Sequence, residues 1–451
     1  MERERFGSRL GFVLVSAGCA IGVGNVWRFP YVAGQNGGGV FVFFYILSLI
    51  FFGIPILSME LAIGRGTGKS LVKAYYAIEK PGQKWHIHGW VGFFGCFLLM
   101  MYYTTVAGWI LYYFFRFLMG GFTKGMSGKD VEAVFTNLLL NPGSMMLWMG
   151  ITVFLGFGII SFGLQNGLER STKWMMTLLF LLIILLAVRG LLLPGAKEGL
   201  RFYLYPDFAK ARKIGIWKVI TAAMSQSFFT LGLGVGSMEI FGSYMDRKHT
   251  LISESVMITA LDTVVAVLAG LVIFPACYSY GVKPASGPPL LFMTLPNVFL
   301  GMKGGRIWGS LFFLFMTFAS FSTVMAVFEN LIANSMDLFG WTRKKAAGLG
   351  AIIMFFASLP CLLGYNVWSG ISVSGKNILD LEDFLLSNIL LPVGTLTIVL
   401  FCVTKAGWGF ENYLSNVNEG NGIKLSRNMR HYLGICIPLM IIIIFVQGLI
   451  G

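Results

Sequence analysis

Three acidic side chains interrupt long apolar runs of this chain: Glu60, in Ile54-Pro-Ile-Leu-Ser-Met-Glu60, Asp262 and Glu329. An ionisable group in hydrocarbon costs about 3 kcal/mol or more, so each must face a polar interior or a cavity. Glu60 is suited to accept from free N–H groups of an unwound neighbour. Asp262, in the upper middle of its run, has the chemistry to ligate a cation or to pair with a base. Glu329, nearer an inner end, reads as a solvated or paired structural carboxylate. Ser320, Ser322 and Thr323 beside Ala319 supply oxygens suited to a hard monovalent cation, although hydroxyls on apolar helices commonly bond back to the preceding turn. Asn25 and Thr230 each stand beside a glycine-rich stretch. The apolar runs hold no constellation of nucleophile, base and metal ligands, so the chemistry on offer is binding rather than catalysis.

The elements that position these groups follow from composition. Of 451 residues, 56% are hydrophobic and 12% charged, against roughly 25% charged in a soluble domain. Apolar runs of about 20 residues recur, each able to cross a bilayer core of about 30 Å. Spans are expected near 10–34, 39–64, 89–119, 145–164, 171–193, 217–243, 252–280, 305–337, 345–364, 382–404 and 431–450. The net charge of +14 does not imply nucleic acid, because Lys and Arg lie mostly in short loops between spans. Loops rich in these residues (Arg3, Arg5, Arg9; Arg65 to Lys84; Arg170, Lys173; Arg247, Lys248; Arg343 to Lys345; Lys424, Arg427, Arg430) share one side, which the positive-inside rule makes cytoplasmic. The basic segment 194–218 is an exception on the outer side. The N-terminus is expected inside and the C-terminus outside.

The six cysteines are isolated and read as small packing residues; the four histidines read as loop residues, with His86-Ile87-His88 a solvated pair rather than a metal site. Gly68-Lys69-Ser70 fails as a phosphate loop because the required earlier glycine is Ile63.

Spans 1 and 6 both carry glycine-rich interruptions, Gly18-Cys-Ala-Ile-Gly-Val-Gly24-Asn25 and Phe229-Thr-Leu-Gly-Leu-Gly-Val-Gly236. Each by itself fits close helix packing. Paired in corresponding places, they predict two inverted five-span units, 10–193 and 217–404, with 431–450 as an added span. Helices broken in mid-membrane are tolerated where they line a cavity, so the breaks predict a transporter's binding site.

Gly24-Asn25-Val-Trp-Arg28-Phe-Pro30 with Asn36-Gly-Gly-Gly39, then Gly53-Ile-Pro55 and Glu60, resembles the signature of the neurotransmitter:sodium symporters. The likeness continues through Tyr102-Tyr103 and Trp109, Phe228-Phe-Thr230-Leu, Ala319-Ser-Phe-Ser322-Thr323 and Asp380-Leu-Glu-Asp383-Phe384. It implies an all-α LeuT-type fold, with a 5+5 inverted repeat and one extra C-terminal span, and two sodium ions beside the substrate. The first sodium would take Ala20, Asn25, Thr230 and Asp262. The second would take Gly18, Ile21, Ala319, Ser322 and Thr323. Asp262 stands where the family commonly has Asn. Chloride-dependent relatives hold an anion near the residues matching Tyr45, Gln226 and Thr230; a carboxylate at 262 implies chloride-independent transport, and Ala266, where some bacterial relatives carry Glu, supplies none.

Monoamine-carrying members have Asp at the position of Gly22, so the resemblance implies a substrate that brings its own carboxylate, an α-amino acid. Its carboxylate would meet the first sodium, the N–H groups of Val23 and Gly24 and the Tyr103 hydroxyl, with the positive end of the broken span-1 half-helix toward it. Its ammonium would meet carbonyls of Ala20, Phe229 and Thr230. Leu99, Val106, Phe229, Gly232, Val235, Thr323 and Val327 would surround a hydrophobic or aromatic side chain, tyrosine or tryptophan foremost and leucine or methionine next. Arg28 and Asp383, with Gln226 near Arg28, would form the outer gate. Arg3 and Asp337, with Tyr244 and Ser243, would form the inner gate. Phe6 replaces a usual Trp anchoring the N-terminal segment. Span 5 shows no sign of unwinding before Gly190. Eleven spans imply the bacterial type, in the cytoplasmic membrane. A proton-coupled amino-acid carrier of the same fold, using Asp262 or Glu60, is the alternative.

Overall fold

The computed structural model describes residues 4–281, 288–373 and 375–450. Nine helices among them are long and apolar enough to cross a membrane: Gly39–Thr67, His86–Leu118, Pro142–Ile160, Leu164–Leu191, Leu251–Ser279, Gly305–Phe339, Arg343–Leu363, Ile378–Val403 and Arg427–Leu449. These are spans 2 to 5 and 7 to 11. Span 1 is the bent pair Arg9–Ala20 and Val23–Gln35, whose axes differ by 61°. Span 6 is two pieces, Ile216–Leu231 and Glu239–Tyr244, separated by a run of turns. Residues 4–9 mark what is called here the near side of the molecule; the opposite end is the far side.

The two breaks have distinct local causes. In span 1 the helix stops at Ala20, and Ile21 and Gly22 are extended. Asn25 then holds the turn, its Oδ1 accepting the Gly22 N–H at 3.1 Å while its own N–H reaches the Gly22 carbonyl at 3.2 Å. In span 6, Gly232, Gly234 and Gly236 all have positive φ. Gly234 could be nothing else, because at φ 107° an added Cβ would also lie 2.1 Å from the Leu391 carbonyl oxygen. The N–H groups freed there do not go unsatisfied. Glu60 accepts Gly234 N–H at 2.7 Å and Met238 N–H at 3.3 Å, so a buried carboxylate on span 2 caps the break.

Spans 3 and 8 form the packed centre, with span 1 lying along span 8 and span 4 along span 3. Span 8 is the most enclosed, and the outward faces of spans 5 and 11 carry exposed Leu, Ile and Val that suit a lipid surround. Short helices flank the bundle. On the near side Leu71–Ile78 packs on span 3. On the far side lie Gly128–Leu140, Ala196–Leu204, Phe208–Ile214 and Leu290–Gly301.

Two expectations change. His88 is not a solvated loop residue: span 3 begins at His86, nearly a turn earlier than the apolar pattern suggested, and His88 is buried with its ring edge-on to Tyr75 at 5.2 Å. His86, the first residue of that helix, stays at the rim, stacked on Tyr76 and bonded to Glu79 at 2.7 Å, and His249 lies in a loop. Span 5 starts at Leu164 rather than near 171, through a wide turn over Leu164–Glu169, and its interior is unbroken. Five of the six cysteines are buried without disulfides; Cys436 is exposed.

Candidate functional site

The two breaks face each other across a cavity of about 520 Å³. Its wall takes Ala20, Gly22, Val23 and Gly24 from the first break, Leu99, Tyr103 and Val106 from span 3, Phe229, Thr230, Gly232 and Val235 from the second break, and Thr323 and Val327 from span 8. Every residue expected to touch the substrate therefore lines one space. The Tyr103 hydroxyl accepts the Val23 N–H at 3.2 Å, which leaves its own proton free to donate. Gly22 is tightly enclosed: an added Cβ would lie 2.7 Å from the Tyr103 hydroxyl and 3.0 Å from Thr323 Oγ1. No carboxylate side chain fits there without moving both. Cys19, Tyr102, Ser237 and Leu391 also line the cavity and were not anticipated.

Beside Ala20 a buried polar cluster joins four spans. Asn25 Nδ2 donates to Asp262 Oδ1 at 2.8 Å, Thr230 Oγ1 donates to Asp262 Oδ2 at 3.0 Å, and the Tyr45 hydroxyl approaches the same oxygen at 3.5 Å. Asp262 is fully enclosed, and no Lys, Arg or His forms an ion pair with it among the described residues. Of the two roles open to Asp262, pairing with a base is thus not the one seen. A carboxylate held by neutral donors alone, in a low-dielectric interior, has the electrostatics of a cation ligand. Gln226 is buried nearby in span 6 with neither end of its amide hydrogen-bonded.

A second convergence lies between spans 1 and 8. Thr323 Oγ1 stands 3.2 Å from the Gly18 carbonyl oxygen, 3.2 Å from that of Ile21 and 3.3 Å from that of Ala319. One hydroxyl proton serves one carbonyl at a time, so the remaining oxygens point their lone pairs at a shared space. Ser322 Oγ donates to the Ala319 carbonyl at 2.9 Å and is within reach of the same place. Five oxygen donors without an anion suit a small monovalent cation.

The ends of the cavity differ. On the far side it extends past Arg28, Tyr31 and Asp383. The expected Arg28–Asp383 pair is not formed: the Arg28 guanidinium lies over the Phe229 ring at 3.9 Å, and Asp383 accepts from Tyr102 at 3.1 Å and Ser387 at 2.9 Å. Gln226 likewise makes no bond to Arg28. Competing partners keep the gate residues apart in a conformation whose far mouth is open. On the near side the chain is closed. Phe6 donates its N–H to the Tyr244 carbonyl at 3.3 Å and packs edge-on against Phe12 and Tyr244. Glu169 accepts from Gly7 N–H at 2.7 Å, Ser8 Oγ at 3.0 Å and Lys173 at 2.6 Å. Asp337 accepts the Ser70 N–H at 2.8 Å; Arg3, its expected partner, lies outside the described residues.

The strongest near-side link was not foreseen. Arg343 bonds Glu329 through both terminal nitrogens, at 2.6 and 2.9 Å, and Glu4 at 3.1 Å, while the Tyr244 hydroxyl donates to Glu329 at 2.7 Å. Arg343 counted in the sequence only as a loop charge. Its depth is a tertiary fact. Glu239, fully buried just after the second break, was also missed, although an acidic residue within a span is the signal that singled out Glu60.

The family model described as the sodium:neurotransmitter symporter family matches residues 3–129 and 129–451. An uncharacterized sodium-dependent transporter of Bacillus subtilis (strain 168) is 36% identical over 453 residues, covering 99% of this chain and 98% of that protein. One from Haemophilus influenzae is 32% identical, covering 99% and 98%. The crystal structure of MhsT in complex with L-phenylalanine is similar with a TM-score of 0.88 and 35% identity, covering 99% of this chain and 100% of that one.

Proposed function

This chain belongs to the sodium:neurotransmitter symporter family, as a sodium-dependent membrane transporter of LeuT fold, and we propose that it imports a hydrophobic or aromatic L-amino acid together with two sodium ions, without chloride. The observation that carries the substrate class is Gly22, pressed against Tyr103 and Thr323 with no room for a carboxylate side chain. An amine substrate would find no counter-charge on this wall. An amino acid supplies its own, which meets the first sodium, the Tyr103 proton and the Gly24 N–H. Its ammonium meets the carbonyls of Ala20, Phe229 and Thr230. Leu99, Val106, Val235 and Val327 then favour an apolar side chain, and Gly232 leaves room for a ring. MhsT, the structural neighbour, was crystallised with L-phenylalanine, which supports this reading.

The first sodium takes the Ala20 carbonyl, Asn25, Thr230 and Asp262; the second takes Gly18, Ile21 and Ala319 carbonyls with Ser322 and Thr323. Asp262 places a permanent negative charge beside Tyr45, Gln226 and Thr230, where an anion would otherwise balance the sodium charges. Losing the second cation leaves several carbonyls facing a dry space, which favours hydration and opening of the near side. The N-terminus and near side are cytoplasmic, so the open far mouth faces outward. The two five-span units 10–193 and 217–404 supply one break each.

The test is uptake into proteoliposomes with an imposed sodium gradient, with and without a proton gradient, over a panel of amino acids. Sodium-driven uptake in which tyrosine, tryptophan, leucine or methionine competes best is the expected result. Preference for glycine or alanine overturns the pocket reading; uptake driven by protons without sodium overturns the ion reading.

A further inference from the structure

Glu239 opens the inner half of span 6, is fully enclosed, and takes no part in the sites above. Its Oε1 accepts the Tyr75 hydroxyl at 3.0 Å, and its Oε2 has no hydrogen-bond partner. Span 2 brings the carboxylate of Glu60 close enough for the two to interact. Span 3 brings Cys96, and span 10 brings Cys402, both buried and in no disulfide. Span 8 brings the amides of Asn330 and Asn334, the first donating to the Gly236 carbonyl at 3.2 Å. His88 lies edge-on to the Tyr75 ring and beside Gly394, and its Nε2 has no hydrogen-bond partner among the described residues. No Lys, Arg or His forms an ion pair with Glu239 among the described residues.

The two neighbouring carboxyl groups are served unequally. Glu60 receives backbone N–H donors from Gly234 and Met238, which stabilise a charge; Glu239 receives one hydroxyl. Two carboxylates sharing a dry site cannot both be charged cheaply, so the proton belongs to Glu239. The packing says which motion would alter that. Gly64 and Gly242 allow span 2 and the inner half of span 6 to meet backbone to backbone, an added Cβ at Gly64 lying 1.8 Å from the Glu239 carbonyl oxygen. This backbone contact makes the two one packed unit. The Glu239 side chain instead faces the helix Leu71–Ile78, which packs on span 3. Its bond to Tyr75 therefore crosses between two bodies.

We propose that Glu239 is a proton-operated latch on the inner half of span 6: it holds its proton while packed against Tyr75 and releases it to cytoplasmic water when that contact opens, so that cytoplasmic acidity favours the closed inner face. The proton leaves and returns on the same side. No net proton crosses the membrane, which separates this role from proton coupling. The latch rests on the alternating-access reading above, in which the near side is cytoplasmic and opens.

The test uses the full chain in lipid nanodiscs, with spin labels at Lys84→Cys and Lys248→Cys in a Cys436→Ser background, and reads the distance between them. Without sodium, the ratio of open to closed inner face is expected to rise about tenfold between about pH 5.5 and about pH 8.5. Glu239→Gln, which matches the neutral acid in shape and still accepts from Tyr75, is expected to fold, to stay closed and to lose that pH response. A Glu239→Gln protein that retains the response overturns the proposal, as does a wild-type ratio that does not change with pH. So does failure of Glu239→Gln to fold, since the latch requires the neutral form in the closed state. Adding sodium should close both proteins at either pH; if it does not, the alternating-access reading fails on its own account, whatever the pH response.

Discussion

Asn25 Nδ2 donates to Asp262 Oδ1 at 2.8 Å, a buried bond that ties the break in span 1 to the middle of span 7. The same amide receives the Gly22 N–H, so one side chain shapes the substrate wall and orients a carboxylate. The proposed ion and substrate sites are therefore mechanically one unit, and substitutions at either should register in both.

Asp262→Ser removes the charge beside Tyr45 and Gln226 while keeping a hydroxyl. Uptake by the wild type should be equal in chloride and in gluconate. Uptake by the variant should be weak in gluconate and rise severalfold in chloride. A wild type that already needs chloride sinks the idea.

Thr323→Val keeps shape and removes the oxygen that meets three carbonyls. Loss of one proposed cation ligand, worth about 1.4 kcal/mol, would lower sodium affinity about tenfold. Sodium titration of substrate binding reads this directly, and an unchanged curve removes Thr323 from the second site.

Gly232→Ala and Gly22→Ala should behave differently. At Gly232 an added Cβ meets nothing closer than Ser237 Oγ at 3.7 Å, but φ is +59°. The variant should lose about 1–2 kcal/mol to left-handed strain and shift preference from tryptophan toward leucine. At Gly22 the new methyl displaces the Tyr103 hydroxyl, and uptake should be lost in a folded protein. Competition assays and thermal unfolding separate the two effects.

Glu60→Ala strips the Gly234 and Met238 N–H groups of their acceptor. Buried donors left unpaired cost about 1–3 kcal/mol each, so a large fall in Tm is expected. Glu60→Gln, which still accepts once, should fall less. Equal Tm values for all three proteins would contradict a capping role.

Arg343→Met leaves Glu329 without its cation in a closed interface, at a cost of about 3–5 kcal/mol. The inner face should open more readily, seen as faster labelling of Cys19 by a thiol reagent added from the near side. Combining it with Glu329→Gln should restore much of the closure, because no charge is then stranded. Slow labelling in the single variant would mean that Glu169 and Phe6 hold the inner face without help.

The spans could be read from the chain because a bilayer imposes one demand, about 20 apolar residues, that composition meets locally. The breaks could be read because glycine clusters and adjacent polar residues are also local. Arg343 and Glu239 were harder. An arginine read as a loop charge becomes a buried partner through the place of its side chain between the N-terminal segment and spans 4 and 8, and no window of sequence contains that. His88 was misjudged for the opposite reason: its polar neighbours hid an early helix start.

By itself, then, the sequence determined the membrane-spanning class, the two interrupted helices, the acidic positions that must face a polar interior and the missing carboxylate at Gly22, since each depends on residue type and short-range spacing. Only the tertiary structure decided which donors meet. Residues 237 positions apart, Asn25 and Asp262, touch because the break in span 1 is packed against the middle of span 7, and whether a gate is shut depends on which of several nearby partners each side chain takes. Distance along the chain carries no information about such choices; packing does.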